Sequence, residues 1–296
     1  MIDAFKPIYL EHAPYLKALT KEYQHGELEM GLGHWRGVQI LFEGNSNIIS
    51  TFYKNENYNK NKSKSSLNYL KYFIFLKYFE EFGRFIIDIL FNLPRLIKGY
   101  ELIRTGNIPI DKLYKFDVSI NKHPGKKHRK FIYFSELDKL GHKYGTKSLQ
   151  VINAIKKIDK KISELDNKNK FDLIFSDHGM ADIEKIISVP ITKNCFIDSD
   201  IARYWGNEEE LNEIKKQLPV GYGNIIKWDK KYGQLIFLVN TGVLIFPNFW
   251  NKKPVKAMHG YDGKSKDMKA FYLIKQIGNR KDLKAEELHE ILKESF

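Results

Sequence analysis

The spacing of apolar residues predicts alternating strands and helices over the second half of the chain. The run Lys130 to Phe134 is rich in aromatic and β-branched side chains, which is typical of a buried strand. Apolar residues recur every three or four positions from Thr146 to Leu165, which predicts an amphipathic helix with Thr146 or Ser148 at its start. Phe171 to Phe175 predicts a second buried strand. Strand, helix and strand in this order indicate a parallel α/β sheet.

The first third of the chain carries weaker periodic signals. Pro14 to Tyr23 has the apolar spacing of a short amphipathic helix. Residues 45–66 are dense in Asn, Lys and Ser and predict an exposed connection. Residues 67–104 predict a long helical region that is broken near Pro94.

The pattern changes again from 189 to 256, where a short helix near 208–218 is followed by two β-like runs. This arrangement is typical of a small α+β insertion. We therefore predict a single domain over 1–296, with a helical insertion at about 51–120 and an α+β insertion at about 189–256.

The chain is strongly basic, with 49 Lys and Arg against 36 Asp and Glu and a net charge of +13. Such a surface attracts phosphates, nucleic acid or acidic lipid. Lys is abundant throughout, however, so composition alone accounts for much of the charge. The basic clusters at 60–64 and 122–130 match no nucleic-acid motif. A nucleic-acid- or lipid-binding protein is the alternative from another class, and salt-sensitive binding without a metal requirement would favour it.

The sequence carries no visible export or membrane signal. Its first residues lack the basic region and apolar run of a signal peptide. Six charged residues interrupt the most apolar stretch, 69–93, which argues against a transmembrane segment. The single cysteine, Cys195, excludes a disulfide framework and a Cys-rich zinc motif. We predict a cytoplasmic protein, and nothing in the sequence indicates an oligomeric state.

His and Gly recur together in three short segments, and two of these segments also contain Asp. The first, Asp-Lys-Leu-Gly-His-Lys-Tyr-Gly, contains Asp138 and His142, and its glycines permit a tight turn that aims both side chains at one point. The second, Ser-Asp-His-Gly-Met, contains Asp177 and His178, and the third, Met-His-Gly-Tyr, contains His259. Carboxylates and imidazoles at the carboxyl ends of strands suit zinc or a similar divalent ion. A lone Asp-His pair is more often a loop hydrogen bond, but two pairs and a third His favour a metal centre.

These motifs, in this order, resemble the nucleotide pyrophosphatase/phosphodiesterase branch of the alkaline phosphatase superfamily. That branch carries Asp-x-x-Gly-His-x-x-Gly, Ser-Asp-His-Gly-Met and His-Gly-Tyr, and three ordered motifs are a specific signal. The resemblance implies an alkaline-phosphatase-like α/β core with a mostly parallel sheet sandwiched by helices. It also implies a metal-dependent hydrolase of phosphodiester or pyrophosphate bonds, acting on a phosphate-ester small molecule or a nucleotide-like substrate.

The resemblance further implies two divalent metal ions, zinc or alternatively manganese, held by Asp and His side chains. The implied ligands of one ion are Asp138, His142 and His259. Those of the other ion are Asp3, Asp177 and His178.

The start of the chain departs from the family pattern. The family has a full strand before its first metal-binding Asp, whereas only Met1 and Ile2 precede Asp3. A strand usually needs about five residues. We therefore expect either that the true start lies upstream or that the sheet lacks its first strand.

The family's nucleophile is a second departure. It is a Thr or Ser about ten residues before a Gly, and counting back from Gly44 reaches His34. No Ser or Thr lies between Thr20 and Ser46. His34 is thus the candidate at the nucleophile position, as attacking group, metal ligand or plain loop residue, and a water activated by the metal site is the other candidate nucleophile. Arg36 is a candidate phosphate-binding residue, because a guanidinium matches phosphate geometry.

Three other functions of the same fold are alternatives to this hydrolase. A sulfatase needs Cys or Ser followed by x-Pro-x-Arg, but Cys195 is followed by Phe-Ile-Asp. A phosphomutase needs a Ser nucleophile, and no Ser stands at the nucleophile position of this sequence. A catalytically degenerate member acting as a binding or scaffold protein stays open, and only activity separates it from the enzyme.

Overall fold

A computed structural model of the chain describes residues 1–32, 40–41, 108–109, 130–132, 134–166, 171–228, 230, 232–248, 251 and 253–295. The helical region predicted at 67–104, and nearly all of the insertion predicted at 51–120, lie outside these residues.

Helices and strands alternate along the described residues. The α-helices are α1 (Pro14–Leu19), α2 (Glu136–Tyr144), α3 (Leu149–Asp166), α4 (Glu208–Gln217) and α5 (Ala285–Ser295). Short 3-10 helices are Pro7–His12, Val220–Tyr222 and Lys266–Met268. The strands are β1 (Tyr23–Glu29), β2 (Ile108–Pro109), β3 (Lys130–Phe131), β4 (Leu173–Phe175), β5 (Ala181–Asp182), β6 (Lys185–Ile187), β7 (Cys195–Ile197), β8 (Ile201–Tyr204), β9 (Gly223–Ile226), β10 (Leu235–Val239), β11 (Val243–Ile245), β12 (Ala257–Met258), β13 (Ala270–Ile277) and β14 (Leu283–Lys284).

A mixed sheet of order β14-β1-β13-β4 forms the centre of the fold. Strand β1 is parallel to β14, and β13 is antiparallel to both of its neighbours. Three of these four strands therefore share one direction, as expected for a mostly parallel sheet, and β13 is the exception.

The first residues of the chain extend this sheet beyond β4. The backbone N–H of Ile2 donates to the carbonyl of Phe175 at 2.9 Å, and Ile2 forms a parallel bridge with Phe134. Phe134 also donates its N–H to the carbonyl of Met1 at 3.0 Å. Met1 and Ile2 thus occupy a strand position between Phe134 and β4, and Asp3 follows directly at its end.

Helices cover both faces of the sheet. Successive side chains of a strand point to opposite faces, and β13 shows this clearly. Phe271 and Leu273 pack against α1, α2 and α3 on one face, while Tyr272 and Ile274 pack with α5 on the other. All four are buried. The structure confirms the predicted layering of a sheet between helices.

A second sheet, with the antiparallel order β7-β8-β10-β9, lies between residues 195 and 239. Its apolar side chains pack with Ile214 of α4. Asn207 caps α4, because its side chain accepts the N–H of Glu210 while the Glu210 carboxylate accepts the N–H of Asn207. The short helix and the two β-like runs were predicted, whereas the division into one domain with two insertions stays a prediction.

Two element predictions need correction. The helix predicted over 14–23 ends at Leu19, and Tyr23 begins β1 instead. Tyr23 still packs on the same core as the helix, which explains why its spacing looked helical. The strand predicted from Lys130 to Phe134 is limited to Lys130–Phe131, with an isolated bridge at Phe134.

Asp166 at the end of α3 links neighbouring elements through hydrogen bonds. Its Oδ2 accepts the hydroxyl of Tyr15 and the ammonium of Lys275, each at 2.6 Å, and Oδ1 accepts the N–H of Phe171 at 3.2 Å. Burial alone would raise the pKa of Asp166, but the hydrogen bonds from Lys275, Tyr15 and Phe171 outweigh it and lower the pKa. The carboxylate therefore stabilises the fold above its unfolded pKa of about 4, and this contribution is lost as pH falls through the lower folded pKa.

Asp166→Asn is expected to lower the free energy of unfolding at pH 7 by about 2 kcal/mol, because it leaves the partly buried Lys275 ammonium without its counter-charge. Urea unfolding at pH 7 and at pH 3 measures this, and the difference from the wild type should shrink at pH 3. Glu213→Gln removes an exposed partner of Lys216 and is expected to change little at either pH. An equal loss for Asp166→Asn at both pH values would contradict the assignment.

Candidate metal centre

Three predicted ligands meet beside α2, and we call Asp138, His142 and His259 the helix group. Asp138 and His142 lie one turn apart on α2 and share a face, so the motif is helical and the predicted tight turn is wrong. Nε2 of His142 lies 3.2 Å from Oδ1 of Asp138, and Nε2 of His259, which follows β12, lies 3.4 Å from the same oxygen. One ligand atom from each residue falls within 4.8 Å of the others, a spacing that can hold a metal ion.

The remaining predicted ligands, Asp3, Asp177 and His178, form the strand group at the end of β4. Nε2 of His178 lies 3.4 Å from Oδ1 of Asp3 and 3.5 Å from Oδ2 of Asp177. All three residues are buried. Ala4 has a φ of 56°, a left-handed conformation that turns the chain directly after Asp3 and lets its N–H donate to Oδ1 of Asp177 at 3.2 Å.

The helix group and the strand group are in contact through their imidazole rings. The ring of His259 stacks on the ring of His178, with centroids 3.7 Å apart and an angle of 11° between the planes. Its centroid also lies 5.0 Å from that of His142. His259 thus belongs to the helix group and touches the strand group, so the six residues form one continuous Asp/His centre.

Backbone carbonyls fix the orientation of two of the imidazoles. Nδ1 of His142 bonds the carbonyl of Ala257 at 2.8 Å, and Nδ1 of His178 bonds the carbonyl of Gly179 at 2.9 Å. A carbonyl only accepts, so each Nδ1 carries a hydrogen, and in the neutral ring Nε2 is a lone pair facing carboxylate oxygens. A cation or a second proton is needed between each Nε2 and the carboxylate oxygens that it faces. Metal-binding histidines are commonly held by this outer hydrogen bond, so the donor set fits a divalent ion.

Close packing explains the glycines of the motifs. A Cβ at Gly179 would lie 2.1 Å from the carbonyl oxygen of Asp267 and 2.8 Å from that of Lys269. A Cβ at Gly141 would lie 2.4 Å from the sulfur of Met180. The first motif therefore packs against the second, and the second packs against the turn that precedes β13.

Gly179→Ala is expected to destabilise the protein by about 3 kcal/mol, because the obstructing atoms belong to the backbone and cannot rotate away. Thermal or urea unfolding of the metal-free chain measures this loss. Gly221→Ala is the matched control, since a Cβ there meets nothing within 4 Å. Equal stability of the two variants would show that the close approach at Gly179 has no energetic weight.

Several supporting residues escaped prediction from the sequence. The hydroxyl of Ser176 donates to the carbonyl of Phe5 at 2.7 Å and accepts the N–H of Phe271 at 2.7 Å, which joins three segments beneath the strand group. The carboxylate of Asp182 accepts both the N–H and the hydroxyl of Thr146, which lies in the turn between α2 and α3. Ser176 belongs to the Ser-Asp-His-Gly-Met motif, so analysis of that motif could have identified it. Asp182 lies in none of the three motifs, and its neighbours in sequence give no sign of its role.

Tyr261 of the third motif has a structural position. Its hydroxyl donates to the carbonyl of Val243 at 2.9 Å, and its side chain is buried. Burial, with a contribution from Asp200, raises the pKa of Tyr261, so the phenol stays protonated. His34 and Arg36 lie outside the described residues, and their roles stay predictions. Within the described part of the chain, no helix is long and apolar enough to span a bilayer.

Comparisons with known proteins identify a matching family model and similar folds. The family model for type I phosphodiesterase / nucleotide pyrophosphatase matches residues 119–210, which include the first two motifs. Murine ectonucleotide pyrophosphatase / phosphodiesterase 5 superposes with a TM-score of 0.68 at 16% identity, covering 99% of this chain and 93% of the other. The human protein gives 0.67 at 17% identity, covering 99% and 92%. An inactive murine variant in complex with AMP gives 0.67 at 16% identity, covering 98% and 92%. These likenesses establish the alkaline-phosphatase-like fold.

Proposed function

We propose that the chain is a member of the nucleotide pyrophosphatase/phosphodiesterase branch of the alkaline phosphatase superfamily, whose family model matches residues 119–210, and that it is a metal-dependent hydrolase of phosphodiester or pyrophosphate bonds. The observation that supports this most strongly is the convergence of the six predicted ligands into two adjacent groups. They come from four separate parts of the chain, and packing alone does not require two carboxylate-imidazole clusters side by side.

The two groups differ in charge and ligand type. The strand group offers two carboxylates and one imidazole, and the helix group one carboxylate and two imidazoles. Mixed nitrogen and oxygen donors suit zinc, while a carboxylate-rich set also suits manganese. When bound, two adjacent divalent ions supply Lewis-acid stabilisation of the charge on the attacking and leaving oxygens of a phosphate ester.

In this proposal, the residues of the chain hold the metal ions and keep the ligand side chains oriented. Burial of the strand group limits the access of water to its carboxylates. The carbonyls of Ala257 and Gly179 hold the two imidazoles in one tautomer. A nucleotide-like or other phosphate-ester substrate is supported by the family, and by the AMP bound to the inactive murine relative.

The attacking group is proposed from the sequence alone. His34 stands at the family's nucleophile position and Arg36 beside it is proposed to contact phosphate, with water as the other candidate nucleophile. The stretch without Ser or Thr between Thr20 and Ser46 also favours a second candidate function, a catalytically degenerate binding or scaffold protein.

Hydrolysis of a chromogenic aryl phosphodiester, with Zn²⁺ or Mn²⁺ and then with excess EDTA, tests the proposal. We expect turnover with metal and loss of turnover with the chelator. Metal binding without turnover would support the degenerate protein instead. Turnover that is insensitive to EDTA would contradict the metal-dependent chemistry.

A further inference from the structure

Lys6 is a buried cation that the proposed chemistry does not use. It follows Asp3 by three residues, and only 8% of its surface is exposed. Its ammonium donates to the carbonyl of Met180 at 3.0 Å and to Oδ1 of Asp267 at 2.6 Å. A lysine is almost never buried to this degree unless its charge is paired. Both partners come from segments that border the strand group.

The carbonyl of Met180 belongs to the loop that carries Asp177 and His178. This loop is also held from the other side, because the N–H of Gly179 donates to the carbonyl of Met268 at 3.0 Å. Asp267 lies beside Met268 in the same turn. Lys6 therefore joins three segments: the turn after Asp3, the loop after β4, and the turn before β13.

We propose that Lys6 is a positioning residue for the strand group, and this inference rests on the proposed metal-dependent function. By fixing the Met180 carbonyl against the turn after Asp3, Lys6 sets the separation between the Asp3 carboxylate and the ligands Asp177 and His178. It thereby sets the affinity of that group for a divalent ion.

Two effects of the ammonium on metal affinity oppose each other. Its positive charge repels a cation, while its hydrogen bonds hold the ligands in place. The carboxylate of Asp267 at 2.6 Å offsets most of the charge, since the field of a close ion pair falls faster with distance than that of a single charge. The hydrogen bond to the carbonyl of Met180 is not offset in this way, so the proposal predicts that the positioning effect outweighs the repulsion. Loss of such outer supports costs about 10–100-fold in metal affinity.

Zn²⁺ titration of the full chain against a chromophoric chelator tests the proposal. The background variant His142→Ala weakens the helix group, so that the strand group dominates the binding signal. In this background Lys6→Met is expected to weaken Zn²⁺ binding about 10–100-fold. Lys275→Met is the matched control, because it removes another largely buried, carboxylate-paired lysine that contacts neither metal group. It is expected to lower stability and leave Zn²⁺ affinity within about threefold of the background.

Unfolding of the metal-free variants in urea separates positioning from general destabilisation. If Lys6→Met and Lys275→Met lower Zn²⁺ affinity in proportion to their loss of stability, Lys6 has no specific role. Should Lys6→Met fail to fold, Asp267→Asn replaces it, since that carboxylate is half exposed. Asp267→Asn is expected to weaken the same site by a smaller factor, and no weakening would overturn the proposal. A wild-type chain that binds no Zn²⁺ would instead overturn the proposed function, and this inference with it.

Discussion

Replacing Asp177 with Asn is expected to lower metal-dependent phosphodiester turnover about 10³-fold while the protein stays folded. Asn has nearly the same shape, and its amide oxygen can still accept the N–H of Ala4 that Oδ1 of Asp177 accepts at 3.2 Å. What it loses is the negative charge that faces His178 at 3.5 Å in the buried strand group. Metal ions contribute several kcal/mol of charge stabilisation in the transition state, and about 4 kcal/mol corresponds to 10³-fold in rate.

The value of kcat/KM for an aryl phosphodiester, measured at saturating Zn²⁺ or Mn²⁺, checks this expectation. Asp262→Asn is the matched control, because Asp262 is an exposed carboxylate close to His259 in sequence that belongs to neither metal group. The control should retain wild-type turnover. If Asp177→Asn kept more than about a tenth of the wild-type kcat/KM, Asp177 would not be part of the catalytic centre.

His259→Ala is expected to remove about 2.7 kcal/mol or more of the stability that metal gives the chain. A ligand that binds the native state stabilises it by about 4 kcal/mol per site when its concentration is 1,000 times Kd. His259 contributes to the helix group through Asp138 at 3.4 Å, and it packs on His178 of the strand group at 3.7 Å. Its removal therefore weakens metal binding by the helix group directly. It also removes the ring that packs on His178 in the strand group. A 100-fold weaker site loses about 2.7 kcal/mol of this stabilisation.

Urea unfolding with and without Zn²⁺ measures the effect, and the metal-free proteins should differ little. His25→Ala provides the comparison, because His25 also bonds a backbone carbonyl through Nδ1, that of Tyr23 at 3.0 Å, yet belongs to neither group. An undiminished Zn²⁺-induced gain in His259→Ala would show that this imidazole is not a ligand.

Local periodicity was sufficient to predict some elements and failed for others. Helix α3 was predicted almost to its ends, because its apolar residues recur regularly over 18 residues. Strand β1 was not predicted. Its sequence is mainly polar, and it is a strand because it pairs with β13 and β14, for example Gly26 with Tyr272 and Leu28 with Leu283. Such distant pairing leaves no periodic signal in the strand itself.

The same contrast applies to the candidate site. The three motifs predicted five of the six residues of the two Asp/His groups, and the family resemblance supplied Asp3. Neither predicted that Asp138 and His142 share a helix face, because two glycines suggested a turn. Lys6 could not be found from the sequence, since its hydrogen-bond partners Met180 and Asp267 lie 174 and 261 residues away. Only the folded chain brings the three together.

The metal content of the purified chain bears most directly on the proposed function. After incubation with excess Zn²⁺ and removal of free metal, we expect two ions per wild-type chain, one for each Asp/His group. Asp177→Asn should retain the ion of the helix group and lose that of the strand group, while Asp262→Asn should retain both. A wild-type chain without stoichiometric metal, or an unchanged metal content in Asp177→Asn, would contradict the assignment of the two groups as a metal centre.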